Sequence, residues 1–345
     1  MTGTSPPSVL IRPDAHRLLP AASSSTRSSF GRLVPRGVYT PVCTFFFPDS
    51  QDLDIKTFQK HVKYVAGVGV GIVALGSIGE AVHLTHSERS SLVSAARSAL
   101  DSNPALAKVP LVVGTGASST RETIELTKEA AERGADFAMV IAPGYFAGAL
   151  SKQALKAFFV EVAEASPIPV ILYNYPGASA GIDMDSDLIA DIAASAPNVV
   201  GVKLTCGSVG KLSRLTNLRE DFAVLGGFVD FLGPSLFSDT AGGITGTANI
   251  APKSCLALYR STIAALSSTP SPSALAEAQK LQYAVSRADW ALQKAGISGT
   301  KFVLEQTRGY GGAPRRPLLP YDGNDGKEEK LLEDMKEIME LEASL

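Results

Sequence analysis

Asn198-Val199-Val200-Gly201-Val202-Lys203 is an apolar run that ends in a cation, and Thr205 follows two positions later. The run reads as a buried strand that opens into a loop at Lys203. Two readings of such a lysine are open. It can snorkel to the surface on its alkyl stem. Or it can lose its hydration and with it its proton, because burial disfavours the charged form. A neutral amine is a nucleophile and forms a Schiff base with a ketone.

The sequence on either side repeats this pattern. From Val38 onward, short apolar runs at 38–46, 70–76, 109–114, 137–142, 169–173, 199–204, 223–226 and 243–247 alternate with helical stretches. Continuous apolar runs fit strands covered on both faces, as in a parallel sheet. Thr85-His86-Ser87-Glu88 and Ser119-Thr120-Arg121-Glu122 read as capping boxes, and Pro252 suits a first helical turn. Gly134 is placed to end the helix that starts at Ser119. Eight strand–helix units are the count of a (β/α)8 TIM barrel. A doubly wound sheet is the alternative, but the first strand runs into Phe45-Phe46-Phe47-Pro48 and not into the expected glycine fingerprint.

The expected organisation has three parts: an N-terminal tail over 1–36, the barrel over 37–268, and a C-terminal helical extension over 269–345. In the extension, 274–294 and 328–342 read as amphipathic helices packed on the barrel. The tail carries five arginines, seven serines, five prolines, no lysine and one acid, Asp14. That composition buries too little apolar surface to fold. It is also that of a mitochondrial transit peptide, although prolines 6, 7, 13 and 20 interrupt the helix such a peptide forms. A cytoplasmic enzyme with a disordered tail and a mitochondrial matrix enzyme both remain open.

The chain has 345 residues, is 45% apolar, and carries a net charge of −2. No basic patch points to nucleic acid or an anionic membrane surface. No apolar stretch approaches the ~20 residues of a membrane span. Cys43, Cys206 and Cys255 are far apart and fit a reducing compartment. His83 and His86 lack the further ligands that a zinc site needs, so no metal is expected.

Barrels of this type place their chemistry where strands end. Gly76-Ser77-Ile78-Gly79-Glu80 follows the second strand and can cradle an anion with backbone N–H groups and the Ser77 hydroxyl. Tyr145 follows the fourth strand, Tyr173 closes the fifth and Lys203 the sixth. The seventh and eighth end in glycine pairs with no lysine or arginine in their loops, which leaves room for a substrate rather than a phosphate site. Imine chemistry needs an amine whose pKa has fallen from ~10.4 to about 7–8. It also needs a proton relay, which a tyrosine bonded to a second hydroxyl supplies.

Together these motifs resemble the dihydrodipicolinate synthase / N-acetylneuraminate lyase family of pyruvate-handling barrels. The carriers are Gly76–Glu80 as quoted, Tyr173-Asn174-Tyr175-Pro176, Gly201-Val202-Lys203 and Gly243-Ile244-Thr245-Gly246-Thr247-Ala248-Asn249. Leu84-Thr85-His86-Ser87-Glu88-Arg89 and Gly309-Tyr310-Gly311-Gly312 make the chain most similar to 4-hydroxy-2-oxoglutarate aldolase and the fungal 2-keto-3-deoxy sugar-acid aldolases.

The resemblance implies a class I aldolase that cleaves such an acid to pyruvate and an aldehyde through a covalent lysine imine, with no other cofactor. Lys203 would form the imine and Tyr173 would be the general acid/base. Ser77 and the backbone at Ile78 would hold the carboxylate. Tyr145 would complete the relay in a neighbouring subunit's site. The Ile244 backbone would face the keto acid, and Thr205 the substrate's own hydroxyl groups. It further implies a homo-oligomer, a tetramer built as a dimer of dimers. The synthase of lysine biosynthesis and a non-catalytic keto-acid-binding barrel are the alternatives. The loop Pro176-Gly177-Ala178-Ser179-Ala180-Gly181 lacks the arginine with which the synthase binds its second substrate, and Thr205 stands where the synthase usually has alanine.

Overall fold

The computed structural model describes residues 33–269 and 272–345, so the expected tail lies outside the described residues except for its last four positions. Those positions pack against the barrel. Val34 is buried, and Arg36 donates to Asp239 Oδ1 at 2.7 Å and to the Thr240 carbonyl at 2.8 Å.

Eight parallel strands close into a barrel in chain order: β1 (Gly37–Pro41), β2 (Gly71–Ala74), β3 (Leu111–Gly114), β4 (Phe137–Ile141), β5 (Val170–Asn174), β6 (Val199–Leu204), β7 (Ala223–Gly226) and β8 (Gly242–Ile244). The seam is made by β8 on β1, with Gly37 opposite Gly242. A Cβ on Gly242 would lie 1.9 Å from the Gly37 carbonyl oxygen and the φ there is +138°, so only glycine closes this seam. The strands are buried along their length, which is why each one reads as a continuous apolar run. Tyr39, Val73, Phe137, Met139, Ile171 and Leu225 are among the side chains that fill the interior.

Each strand is followed by a helix. The first four are α1 (Ile55–Val68), α2 (His86–Asp101), α3 (Thr120–Glu132) and α4 (Lys152–Ala165). The next four are α5 (Ser186–Ser195), α6 (Val209–Leu215), α7 (Leu232–Phe237) and α8 (Pro252–Ala265). The capping box at α2 forms in both directions: Thr85 Oγ1 accepts from Glu88 N, and Glu88 accepts from Thr85 N. At α3 only half of the expected box forms. Ser119 accepts from Glu122 N, but the Glu122 carboxylate turns instead to His86 Nε2 at 3.2 Å.

Several strands are shorter than their apolar runs, and at β1 and β8 the reason is visible. Residues 42–46 stay buried but leave the ladder after Val42 N bonds the Val73 carbonyl. They are covered by the C-terminal extension, with Lys301 over the Phe46 ring and Phe45 edge-on to Tyr310. The eighth run is cut at Ile244, because Thr245 Oγ1 accepts from Thr247 N and starts a 3-10 turn over Gly246–Asn249.

The extension holds α9 (Pro272–Arg308) and α10 (Lys327–Ser344). The first is longer than the 274–294 expected, because helix resumes after a kink at Gly296 (φ 65°, ψ −157°). Leu331, Met335 and Ile338 bury one face of α10, and the Glu342 carboxylate accepts from the Lys253 and Ser254 amides and the Ser254 hydroxyl at the start of α8. A carboxylate there satisfies donors that the first helical turn leaves free. Among the described residues no helix is long and apolar enough to cross a membrane.

A buried ion pair ties the extension to the turn after β2. Lys301 Nζ lies 3.0 Å from Glu80 Oε1, and both side chains are fully buried. The second Glu80 oxygen accepts from Arg315 N at 2.7 Å. Removing one member of such a pair strands the other charge. Lys301→Met should therefore lower the unfolding free energy by about 3–5 kcal/mol, and adding Glu80→Gln should restore at least half of it. Urea unfolding of the single and double variants measures both; equal losses in the two would show that the ion pair is not what holds this junction.

Candidate active site

β5 and β6 pair so that Tyr173 and Lys203 are register partners at the carboxyl end of the barrel. Lys203 is only 4% exposed, and its amine sits 4.3 Å from the centre of the Tyr173 ring. Burial alone pushes the Lys203 pKa down, to about 7. The snorkelling alternative therefore does not describe this residue. Near neutral pH a large share of the amine is unprotonated and nucleophilic.

Tyr173 is buried as well. Burial raises its phenol to about 12, opposed by hydrogen bonding to Ser77. The Ser77 Oγ to Tyr173 Oη distance is 3.4 Å. Ser77 is held by the turn it belongs to: Glu80 N donates to the Ser77 carbonyl, and the Thr44 hydroxyl donates to the Gly79 carbonyl at 2.7 Å. The Thr205 hydroxyl also faces the phenol but is buried without a hydrogen bond of good geometry. Its backbone is fixed by a bond from Thr205 N to the Asn174 carbonyl, and Gly227 leaves it room, since a Cβ there would lie 2.2 Å from Thr205 Oγ1.

These groups line a cavity of about 260 Å³. Of the residues singled out in the sequence, it brings together Ser77, Ile78, Tyr173, Lys203 and Thr205. Two others are elsewhere. Ile244 is fully buried in the barrel interior, and its neighbours Gly246 and Thr247 line the cavity in its place. Tyr145 is 82% exposed and meets the edge of the exposed Phe146 ring, with centroids 4.9 Å apart. Ser179 turns into its own loop and donates to the Tyr175 carbonyl at 2.7 Å. His83 bonds Glu80 and His86 bonds Glu122, so the two do not share a ligand.

The far wall comes from α9: Asp289, Leu292, Gln293, Gly296, Ile297 and Thr300. The extension therefore does more than pack on the barrel; it forms part of the chamber. Asp289 is buried, and Oδ1 accepts from the Thr247 hydroxyl. Its other oxygen accepts from Gln293 Nε2 at 3.0 Å. Burial first, and then the neighbouring Asp230, raise its pKa to about 6. The signal for these residues is Asp289 and Gln293 four apart beside the apolar stripe of Val285, Ala288 and Leu292, which puts both polar groups on the buried face.

Comparison with known proteins gives the family. The dihydrodipicolinate synthetase family is matched over residues 34–335. An Emericella nidulans protein named "Probable 4-hydroxy-2-oxoglutarate aldolase, mitochondrial" is 46% identical over 91% of this chain and 97% of its own length. The "L-threo-3-deoxy-hexylosonate aldolase" of Hypocrea jecorina is 42% identical over 90% of this chain and 98% of its own. The crystal structure of YagE from E. coli K12 in complex with pyruvate, a protein of the dihydrodipicolinic acid synthase family, superposes with a TM-score of 0.78 at 28% identity. That match covers 88% of this chain and 98% of YagE.

Lowering the Lys203 pKa is a cost to the fold. The unfolded chain holds the proton up to the ordinary 10.5, the folded chain only up to about 7. The folded state is thus penalised as pH falls from about 10.5 to about 7, and the penalty is constant below that. Lys203→Met should gain stability over the wild type by about 1.4 kcal/mol per pH unit across this window. Urea titrations at several pH values give the difference; a difference that does not change with pH would mean an ordinary, hydrated lysine.

Proposed function

Since the chain belongs to the dihydrodipicolinate synthetase family, we propose that it is a class I aldolase, a carbon–carbon lyase that cleaves a 4-hydroxy-2-oxo acid to pyruvate and an aldehyde. The substrate is a 2-keto-3-deoxy sugar acid such as L-threo-3-deoxy-hexulosonate, or 4-hydroxy-2-oxoglutarate. The observation that carries the reading is the buried Lys203 amine beside Tyr173 on a cavity at the carboxyl ends of the strands.

In this reading the neutral Lys203 amine adds to the C2 ketone, and loss of water leaves a protonated imine. Ser77 and the backbone N–H of Ile78 bind the substrate carboxylate, while the Ile78 side chain gives that end of the cavity an apolar wall. A phenol with a pKa of about 12 is not a phenolate at neutral pH. Tyr173 therefore relays: it takes the C4 hydroxyl proton as it gives its own toward Ser77, and Tyr145 of the partner subunit continues the path. As the C4–OH loses its proton the C3–C4 bond breaks. Its electron pair moves into the iminium, which becomes an enamine, and the aldehyde leaves. Protonation of C3 and hydrolysis of the imine release pyruvate and restore Lys203. No other cofactor enters the sequence.

The exposed Tyr145–Phe146 pair supports assembly through that edge, and we place the enzyme in a homotetramer of two dimers. The Arg- and Ser-rich tail, together with a relative named as mitochondrial, favours the mitochondrial matrix over the cytoplasm. The lysine-biosynthesis alternative is disfavoured by the 176–181 loop, which has no arginine and turns Ser179 back on itself.

Borohydride added with pyruvate should leave a reduced pyruvyl adduct on Lys203, located by peptide mass mapping. Lys203→Ala should lose the adduct and at least about 10⁴-fold in turnover. Tyr173→Phe should lose about 10²–10⁴-fold. An adduct that persists in Lys203→Ala would place the amine elsewhere.

A further inference from the structure

The cavity has two unlike ends. At one, Lys203, Tyr173 and Ser77 meet the keto acid in the reading above, on which the present inference rests. The other is built by α9, which brings Asp289 and Gln293 to the cavity.

Gln293 sets the character of that end. Its Nε2 donates to Asp289 Oδ2 at 3.0 Å and to Asp230 Oδ2 at 3.4 Å. With the amino group fixed on two carboxylates, the amide carbonyl is the free side, and Gln293 Oε1 accepts no hydrogen bond among the described residues. Asp289 is itself a carboxylate whose donors come from the protein: Oδ1 accepts from the Thr247 and Thr245 hydroxyls, and Oδ2 from Gln293 Nε2 and Asp230 N, so it contributes its charge to this end. Among the residues that line the cavity, Lys203 is the one basic side chain, and its nitrogen is committed to the imine. A second observation points to a hydroxylated occupant: Thr205 Oγ1 is buried on the same cavity and lacks a partner.

An aldehyde half with hydroxyl groups has donors to give to the Gln293 carbonyl oxygen and to Thr205 Oγ1. A second carboxylate has none, and it would meet the Asp289 charge with no second basic side chain on the cavity to pair with. We infer that Gln293 and Asp289 on α9 are specificity-determining residues that select a neutral, polyhydroxylated aldehyde half and reject one ending in a carboxylate. Of the two substrate classes above, the wall assigns this chain to the 3-deoxy sugar acids.

The test measures pyruvate release by the full-length enzyme from two acids: a six-carbon 3-deoxy-2-oxo acid with hydroxyls on C5 and C6, and 4-hydroxy-2-oxoglutarate. The wild type should favour the hydroxylated acid by at least about tenfold in kcat/KM, the equivalent of one hydrogen bond to a substrate hydroxyl. Gln293→Leu should reduce that ratio about tenfold while borohydride still traps pyruvate on Lys203. A wild-type ratio of one or less, or equal losses on both acids in Gln293→Leu, overturns the selection by α9; the wild-type ratio decides alone should the variant not fold. No pyruvate from either acid and no trapped adduct would instead remove the aldolase reading itself, and with it this inference.

Discussion

One amine taken out of water organises this molecule. Lys203 stands near the end of a strand that is buried along its whole length, without a carboxylate to compensate it, and its proton affinity drops because hydration is lost. Such a group is unfavourable for the fold, so the rest of the structure must hold it there. The closed barrel does so from below and from the sides. The register of β5 on β6 sets the Tyr173 ring against the amine, with its phenol toward Ser77. Chemistry and strain are located at the same few atoms, as is common where a perturbed pKa has a use.

The barrel does not close the chamber alone. α9 folds back across the carboxyl ends of the strands and supplies the wall that faces Lys203. Its placement depends on long-range contacts: the buried Lys301–Glu80 pair, Arg315 on Glu88, and Gln282 donating to the Val229 and Asp230 carbonyls. Glu80 belongs to the turn that carries Ser77 and Ile78. The extension and the turn that carries Ser77 and Ile78 are therefore tied together, and past the kink at Gly296 the helix still lines the cavity through Ile297 and Thr300.

Much of this was legible in the sequence because it is local. A strand that is buried on both faces announces itself as an apolar run, and its last residue is then placed at the catalytic end of a barrel. Lys203, Tyr173, Ser77, Ile78 and Thr205 all follow from that rule, and all five face one cavity. The departures at 38–46 and on α9 have a common cause. The run at 38–46 is apolar because α9 covers its second half, and sequence cannot separate burial under a helix from burial in a sheet. Asp289 and Gln293 read as the polar members of an amphipathic helix, yet they point inward because the helix packs over a cavity. Ile244 lies in a matched motif, but the chain turns at Thr245 and hands the lining to Gly246 and Thr247.

The account stands on the protonation of Lys203. Nuclear magnetic resonance titration of the enzyme with ¹³C-labelled lysine, with the Lys203 signal assigned by its loss in a substituted variant, reads that state directly. A midpoint near 7 is the result expected from a desolvated amine. A midpoint near the ordinary ~10.4 of a hydrated lysine would contradict it, and the imine chemistry would lose its nucleophile.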